Sequence, residues 1–173
     1  MIEQDKLFEV IGQNFEYRDN DGLEEFVRSD KDGQKEFVYR YFKDDSGEHM
    51  DLMLRVKDRR GVWIPVLVYT EFIDNQEIKQ YVKAACFDDT GEDLFFFFDP
   101  RVFYDDDGSR EVSTWALRAK TAEELGPPSL IEGALFPGSQ VPEKLDVGLT
   151  AELFKRQVIN GDFGRPILVS AVQ

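Results

Sequence analysis

One four-residue signal, Asp-x-x-Gly, recurs along this chain and limits what the chain can fold into. It occurs as "DNDG" (19–22), "DKDG" (30–33), "DDSG" (44–47), "DDTG" (88–91) and "DDDG" (105–108), with "DRRG" (58–61) as a variant. Asp at the first position accepts backbone N–H bonds, and Gly at the fourth takes positive φ, which suits a type I turn with a G1 bulge. Gly22, Gly33, Gly47 and Gly61 stand 11, 14 and 14 residues apart. That spacing is the rhythm of strand, turn, strand. It is a rhythm of turns and not a solenoid repeat.

The segments between the turns alternate as strands do. "QKEFVYRYFK" sets Phe37, Tyr39 and Tyr41 on one face and Val38, Arg40 and Phe42 on the other. "EHMDLMLRVK" sets Met50, Leu52, Leu54 and Val56 against Asp51, Met53, Arg55 and Lys57. "GVWIPVLVYTEFI" is apolar on both faces and reads as a central strand, with a bulge or break at Pro65, which has no ladder donor. Such a meander needs cover for its apolar faces. A helix over 2–13, with Leu7, Phe8 and Ile11 on one stripe and Phe15 following, supplies part of it. "DNQEIKQYVKAACF" fits a second helix better than a strand, through Ile78, Tyr81, Val82 and Ala85.

"EVSTWALRA" reads as a further strand, and then the texture changes. "TAEELGPPS" pairs Thr121 with Glu124 as a short capping box before a Gly-Pro-Pro stop. Residues 126–148 are rich in Gly and Pro and read as an irregular segment. "TAELFKRQVINGDFG" predicts a helix with Thr150 as N-cap and Gly161 as its stop, and "PILVSAV" predicts a last strand. The expected fold is α+β: an antiparallel meander of about six to eight strands with an N-terminal and a C-terminal helix packed on it. We read one domain over 1–173, with an acidic helix-plus-meander body over 1–118. Residues 119–173 add the Pro/Gly-rich segment, the helix and the final strand.

Charge narrows the partners. Of a net −14, residues 1–112 carry −13 (28 Asp/Glu, 15 Lys/Arg) and residues 113–173 carry −1 (7 and 6). That field repels nucleic acid and anionic lipid and suits a basic protein partner. No apolar run reaches the roughly 18 residues of a membrane helix, and the acidic start lacks the features of a signal peptide. With Cys86 the single cysteine, an internal disulfide is excluded and a cytoplasmic setting is expected.

Enzyme signatures are weak. With Gly108 at the sixth position of a calcium loop, Phe103 falls at the first and Thr114 at the twelfth, so the ligand pattern fails. "EIK" (77–79) matches a nuclease fragment, but it follows a turn rather than ending a buried strand. His49 is the single histidine, so any Ser-His or Cys-His pair must use it. Asp88 and Asp89 oppose a reactive thiolate at Cys86. No phosphate loop or dinucleotide fingerprint is present, and no cofactor is expected.

The remaining feature is "DLFFFFDPRVFYDDDGS" (93–109). We expect a strand over Leu94–Phe98, ended by Asp99-Pro100, then a hairpin from Arg101–Tyr104 through "DDDG" to Glu111–Leu117. Exposing two Phe would cost several kcal/mol (roughly 1.5–3 each), so a doubly covered strand is the default. The alternative makes Phe96 and Phe98 a docking edge rimmed by Asp99, Asp105, Asp106 and Asp107. The functional expectation is an acidic, non-enzymatic protein-binding module, of the inhibitor, immunity or chaperone-like adaptor kind, for a basic protein or a second copy of the chain. Two rivals stand beside it. One is a metal-dependent hydrolase using the acidic turns, and the other is a self-assembling structural or virion component.

Overall fold

The computed structural model describes residues 2–57, 61, 63–74, 77–87, 95–104, 111–118 and 144–170. Helix α1 (Ile2–Asn14) leads into strands β1 (Glu16–Asn20), β2 (Leu23–Ser29), β3 (Lys35–Asp44), β4 (Gly47–Lys57) and β5 (Trp63–Asp74). Strands β6 (Glu77–Phe87), β7 (Phe95–Tyr104), β8 (Glu111–Arg118) and β9 (Lys144–Leu145) follow, and then helix α2 (Val147–Asn160). Among the described residues, all strands lie in one antiparallel sheet in chain order, β1 to β9. Eight of them have five residues or more, and β9 has two. This is the expected α+β meander with a helix towards each end.

The Asp-x-x-Gly signals close the first three hairpins. Asp19 Oδ1 accepts from Gly22 N–H at 2.8 Å. Asp21 and Gly22 both take positive φ (52° and 84°), and Asn20 pairs with Leu23. That is a two-residue type I′ turn rather than the expected type I turn with a bulge. Asp30 caps its own turn by accepting from Gln34 and Lys35 N–H. Gly47 carries the tightest demand. Its φ is 141°, and a Cβ there would sit 2.2 Å from the Ile73 carbonyl oxygen, so β4 passes β5 where only glycine fits. "DDTG" and "DDDG" lie outside the described residues, as does the Thr121–Glu124 capping box.

At Pro65 the ladder shifts as its missing donor requires. Leu54 pairs with Leu67 and Arg55 with Pro65, so Val66 is an extra residue in β5. The bulge lets two consecutive residues, Val66 and Leu67, both enter the main core. That core joins Leu7, Ile11 and Phe15 to alternate residues of β3–β6 (Phe37, Tyr39, Leu52, Tyr69, Val82) and to Val147, Ala151, Phe154 and Val158 of α2. Both helices therefore cover the same face of the sheet.

Four further expectations are corrected. Residues 77–87 form β6 and not a helix; eight register pairs with β5, from Asp74–Glu77 to Leu67–Ala84, override an ambiguous local pattern. Helix α2 starts at Asp146, whose Oδ1 accepts from Leu149 N–H at 3.0 Å. Thr150 lies inside the helix, buried, its hydroxyl accepting from Val169 N–H. Gly161 does end the helix, its N–H turned back to Gln157 and Val158. "PILVSAV" makes no strand among the described residues; Ser170 forms a single bridge to Leu145, and Asp146 N–H binds the Val169 carbonyl. Two bonds, Asp146 N–H to the Val169 carbonyl and Val169 N–H to the Thr150 hydroxyl, tie that segment to the start of α2 instead.

Finally, β7 runs through Asp99-Pro100 without a break, with Pro100 opposite Trp115. Pairing with β6 ends at Phe98, so Pro100 sits where β7 has β8 as its one partner in the register. A residue without an N–H is tolerated there. The expected hairpin is present, with Tyr104 paired to Glu111.

Candidate functional site

The residues singled out from sequence fall in β7 or beyond it. Phe96 pairs with Cys86 of β6, Phe98 with Ala84 of β6 and Leu117 of β8, and Asp99 with Ala116. The Phe run is thus internal to the sheet in its backbone pairing. Asp105, Asp106 and Asp107 lie outside the described residues, as do Asp88 and Asp89.

A different aromatic group stands at the end of β3–β6 formed by the "DDSG" turn and the β5–β6 hairpin. Phe42, His49, Phe72 and Lys79 face one another in direct register across four strands. The Phe42 and His49 rings stack at 4.3 Å and 7°, and His49 meets Phe72 at 4.8 Å. Phe42 nevertheless leaves 44% of its surface exposed and Tyr81, on the same face, 41%. Tyr41, also exposed, donates its hydroxyl proton to Glu48 at 2.9 Å. The helices cover the opposite face of the sheet from the Phe42 row. On the face of these rings the two turns add Asp44, Asp74 and Glu77, with Lys79 in the row itself, whereas Lys43 and Glu48 pair with each other on the opposite face. The sequence signal was a single aromatic, Phe42, on the mixed face of its strand, running directly into an acidic turn.

His49 also tests the hydrolase idea. Its Nε2 lies 3.2 Å from Ser46 Oγ and 3.2 Å from Asp44 Oδ1, so the serine and the aspartate meet the same ring nitrogen. A nucleophilic triad needs them on opposite nitrogens, so that the carboxylate orients the ring while the other nitrogen takes the serine proton. Here Ser46 Oγ instead donates to Asp44. The bond from the Ser46 hydroxyl, with those from the Ser46 backbone N–H and His49, holds the Asp44 carboxyl below its usual range against the opposing effect of desolvation. This is a turn cap. Among the described residues, no three His, Cys, Asp or Glu side chains are grouped to hold a metal ion.

The second unusual group lies on the sheet face away from the helices. Val27, Val38, Met53 and Val68 form a row in direct register and a small apolar cluster that contains no residue of α1 or α2. Charges cover it. Arg55 of β4 reaches Glu25 of β2 at 3.5 Å, across Val38, and also binds Glu36. Arg18 of β1 binds Glu25 at 3.0 Å and Glu36 of β3 at 3.2 Å, across Val27. Arg40 donates Nε–H to Glu25 at 2.7 Å. The arginine stems run over the apolar row while their heads meet the carboxylates. Both glutamates are buried, Glu25 completely. Burial pushes the Glu25 carboxyl upward, but bonds from Arg40 and Arg18 and the charge of Arg55 outweigh it and hold it low.

Beneath α2, Tyr69 donates to Glu71 at 2.5 Å and accepts from Gln80 at 2.7 Å. Lys155 of α2 lies 3.4 Å from Glu71 and 5.2 Å from the Tyr69 ring centre. Burial first, then Glu71, raises the Tyr69 pKa, so the hydroxyl stays a proton donor. This group fastens the helix to β5.

Set against protein-family models, curated proteins and solved structures, the chain matches none. No helix among the described residues is long and apolar enough to cross a membrane.

Proposed function

We propose that this chain is a non-enzymatic protein-binding module that docks a basic protein partner on the acid-rimmed aromatic end of β3–β6, in a cytoplasmic setting. The observation that carries this reading is Phe42. It is stacked in a fixed row yet nearly half exposed, and it lies beside two acidic turns. Aromatic anchors within a polar rim are the usual composition of a binding hot spot. The acids add attraction and orientation for a cationic partner, an effect that fades as salt shortens the Debye length from about 10 Å at 0.1 M. The same reading extends to the stretch Phe96, Phe98, Asp99 and Asp105–Asp107 as a second docking edge, or as a contact between two copies of the chain.

The test is a pull-down from the native lysate with wild type, Phe42→Ser and the double variant Asp44→Asn/Asp45→Asn, each at low and high salt. A specific basic protein should be captured by wild type at low salt, less at high salt, and not by Phe42→Ser. Equal capture by all three proteins would overturn the reading. Phe96→Ala separates the second edge. If Phe96 serves only the core, the substitution lowers stability by about 3–5 kcal/mol. If Phe96 docks a partner, it leaves the melting temperature nearly unchanged and removes binding.

A further inference from the structure

The Arg–Glu group over the Val27–Val38 row has more donors than it uses. Three guanidiniums carry about fifteen N–H groups against about eight carboxylate lone-pair sites. The contacts to Glu25 and Glu36 run through Nε and Nη2 of Arg18 and Arg40 and through Nη2 of Arg55. Arg55 Nε is buried and has no hydrogen-bond partner among the described residues. A buried unpaired donor costs about 1–3 kcal/mol, so a fold that keeps one calls for an explanation.

Beside it lies a cleft of about 270 Å³, lined by Arg18, Asp19 and Asn20 of β1, Arg55 of β4 and Trp63 of β5. Two guanidiniums and one carboxylate line it, and Lys57 adds a further cation 5.0 Å from the Trp63 ring centre. Both guanidiniums are already paired to Glu25 and Glu36, so what they offer the cleft is spare N–H donors rather than excess charge. Asn20 offers an amide, and Trp63 offers an apolar wall. The cleft is at the opposite end of β4 from the His49 row, because Lys57 pairs with Trp63 and His49 with Phe72. Its lining shares no residue with the docking surface.

We propose that this cleft binds the oxyanion group, phosphate or carboxylate, of a small molecule. The fork of a guanidinium matches either oxyanion in two parallel bonds. Arg18, partly exposed at the sheet edge, is the accessible fork, with Arg55 behind it. The oxyanion takes guanidinium N–H groups left over by Glu25 and Glu36, and the remainder of the molecule lies towards Trp63. The volume leaves room for a short organic body besides the oxyanion.

The test is a titration of the full chain at pH 7 and constant ionic strength, with sodium chloride exchanged for inorganic phosphate and, separately, for citrate. The Trp63 indole N–H resonance reports the cleft, and Trp115 serves as the internal control. A saturable shift of Trp63 with either anion, and not with chloride, is expected. Phosphate alone identifies a phosphate ligand, and citrate alone a carboxylate. Arg18→Gln should weaken the response at least tenfold. Should that variant fail to fold, Asn20→Leu, which leaves the ion pairs intact, should weaken it severalfold. No saturable shift with either anion, or an unchanged titration in the folded variants, overturns the proposal.

Discussion

The two faces of β2–β5 are made by the same strands and closed by different physics. One face carries Phe37, Tyr39, Leu52, Leu54 and Tyr69, and two helices lie on it. The other carries the shorter row Val27, Val38, Met53 and Val68 between rows of charge. A large apolar face attracts an amphipathic helix because each buried side chain adds roughly 1.5–3 kcal/mol. A single row one residue wide is covered as well by long arginine stems, provided their heads find carboxylates. The difference shows that alternation along a strand decides which face is apolar, whereas register across strands decides whether charges meet.

The largest effect should come from the helix-covered face. Phe154 of α2 is buried against Phe37, with ring centres 6.3 Å apart. Phe154→Ala should lower unfolding stability by about 3–5 kcal/mol, read by urea denaturation. A loss well below that would mean α2 is not what closes the core.

The ionic face should respond next, and differently. Glu25→Gln leaves three guanidiniums short of one charge, and breaking a buried pair in this way costs about 3 kcal/mol at neutral pH. The sign with pH follows from the lowered Glu25 pKa. A carboxyl held low in the folded state contributes fully above its unfolded pKa, about 4.3, and loses that contribution as pH falls through the folded value. The gap in melting temperature between wild type and Glu25→Gln should be wide above pH 5 and close on acidification. Phe154→Ala should show no such closure. A gap constant from pH 7 to pH 3 would contradict the ionic account.

The two faces also differed in how far the sequence disclosed them. The helix-covered face was legible, because Asp and Gly mark the turns and Phe37, Tyr39, Leu52 and Leu54 alternate in plain view. The Pro65 bulge was legible for a chemical reason, the missing donor. Strand β6 was not, since Ile78, Tyr81, Val82 and Ala85 satisfy a helical period and pairing to β5 decided otherwise. The cap of α2 was hidden by Gly148 in the first turn, which reads as loop. The ionic face was invisible for a deeper reason. Arg18, Glu25, Glu36, Arg40 and Arg55 each look like ordinary solvated strand positions, and nothing local brings a β1 arginine to a β3 glutamate. Phe42 was visible in the alternation as an aromatic on the otherwise mixed face, without any sign that it would stand in a row with His49 and Phe72.

Phe42 gives the smallest stability effect and the sharpest distinction. It lies on the same sheet face as the ion pairs, one row beyond Arg40 and Asp51, outside the Arg–Glu group. Its ring loses one stacking contact if removed, a pair term of about 0.5–1.5 kcal/mol, and much of its surface is already in water. Phe42→Ser should therefore shift the urea midpoint little, far less than Phe154→Ala or Glu25→Gln. Binding should respond oppositely. Truncating an aromatic anchor at an interface centre costs about 2 kcal/mol or more, roughly a thirtyfold loss of affinity for the captured partner. A large loss of stability with unchanged affinity would move Phe42 from the docking surface into the core and end the comparison's usefulness at that end of the sheet. A small loss of stability with lost affinity would separate the three zones of one sheet: a helix-covered core, a charge-covered row, and an end kept open for a partner.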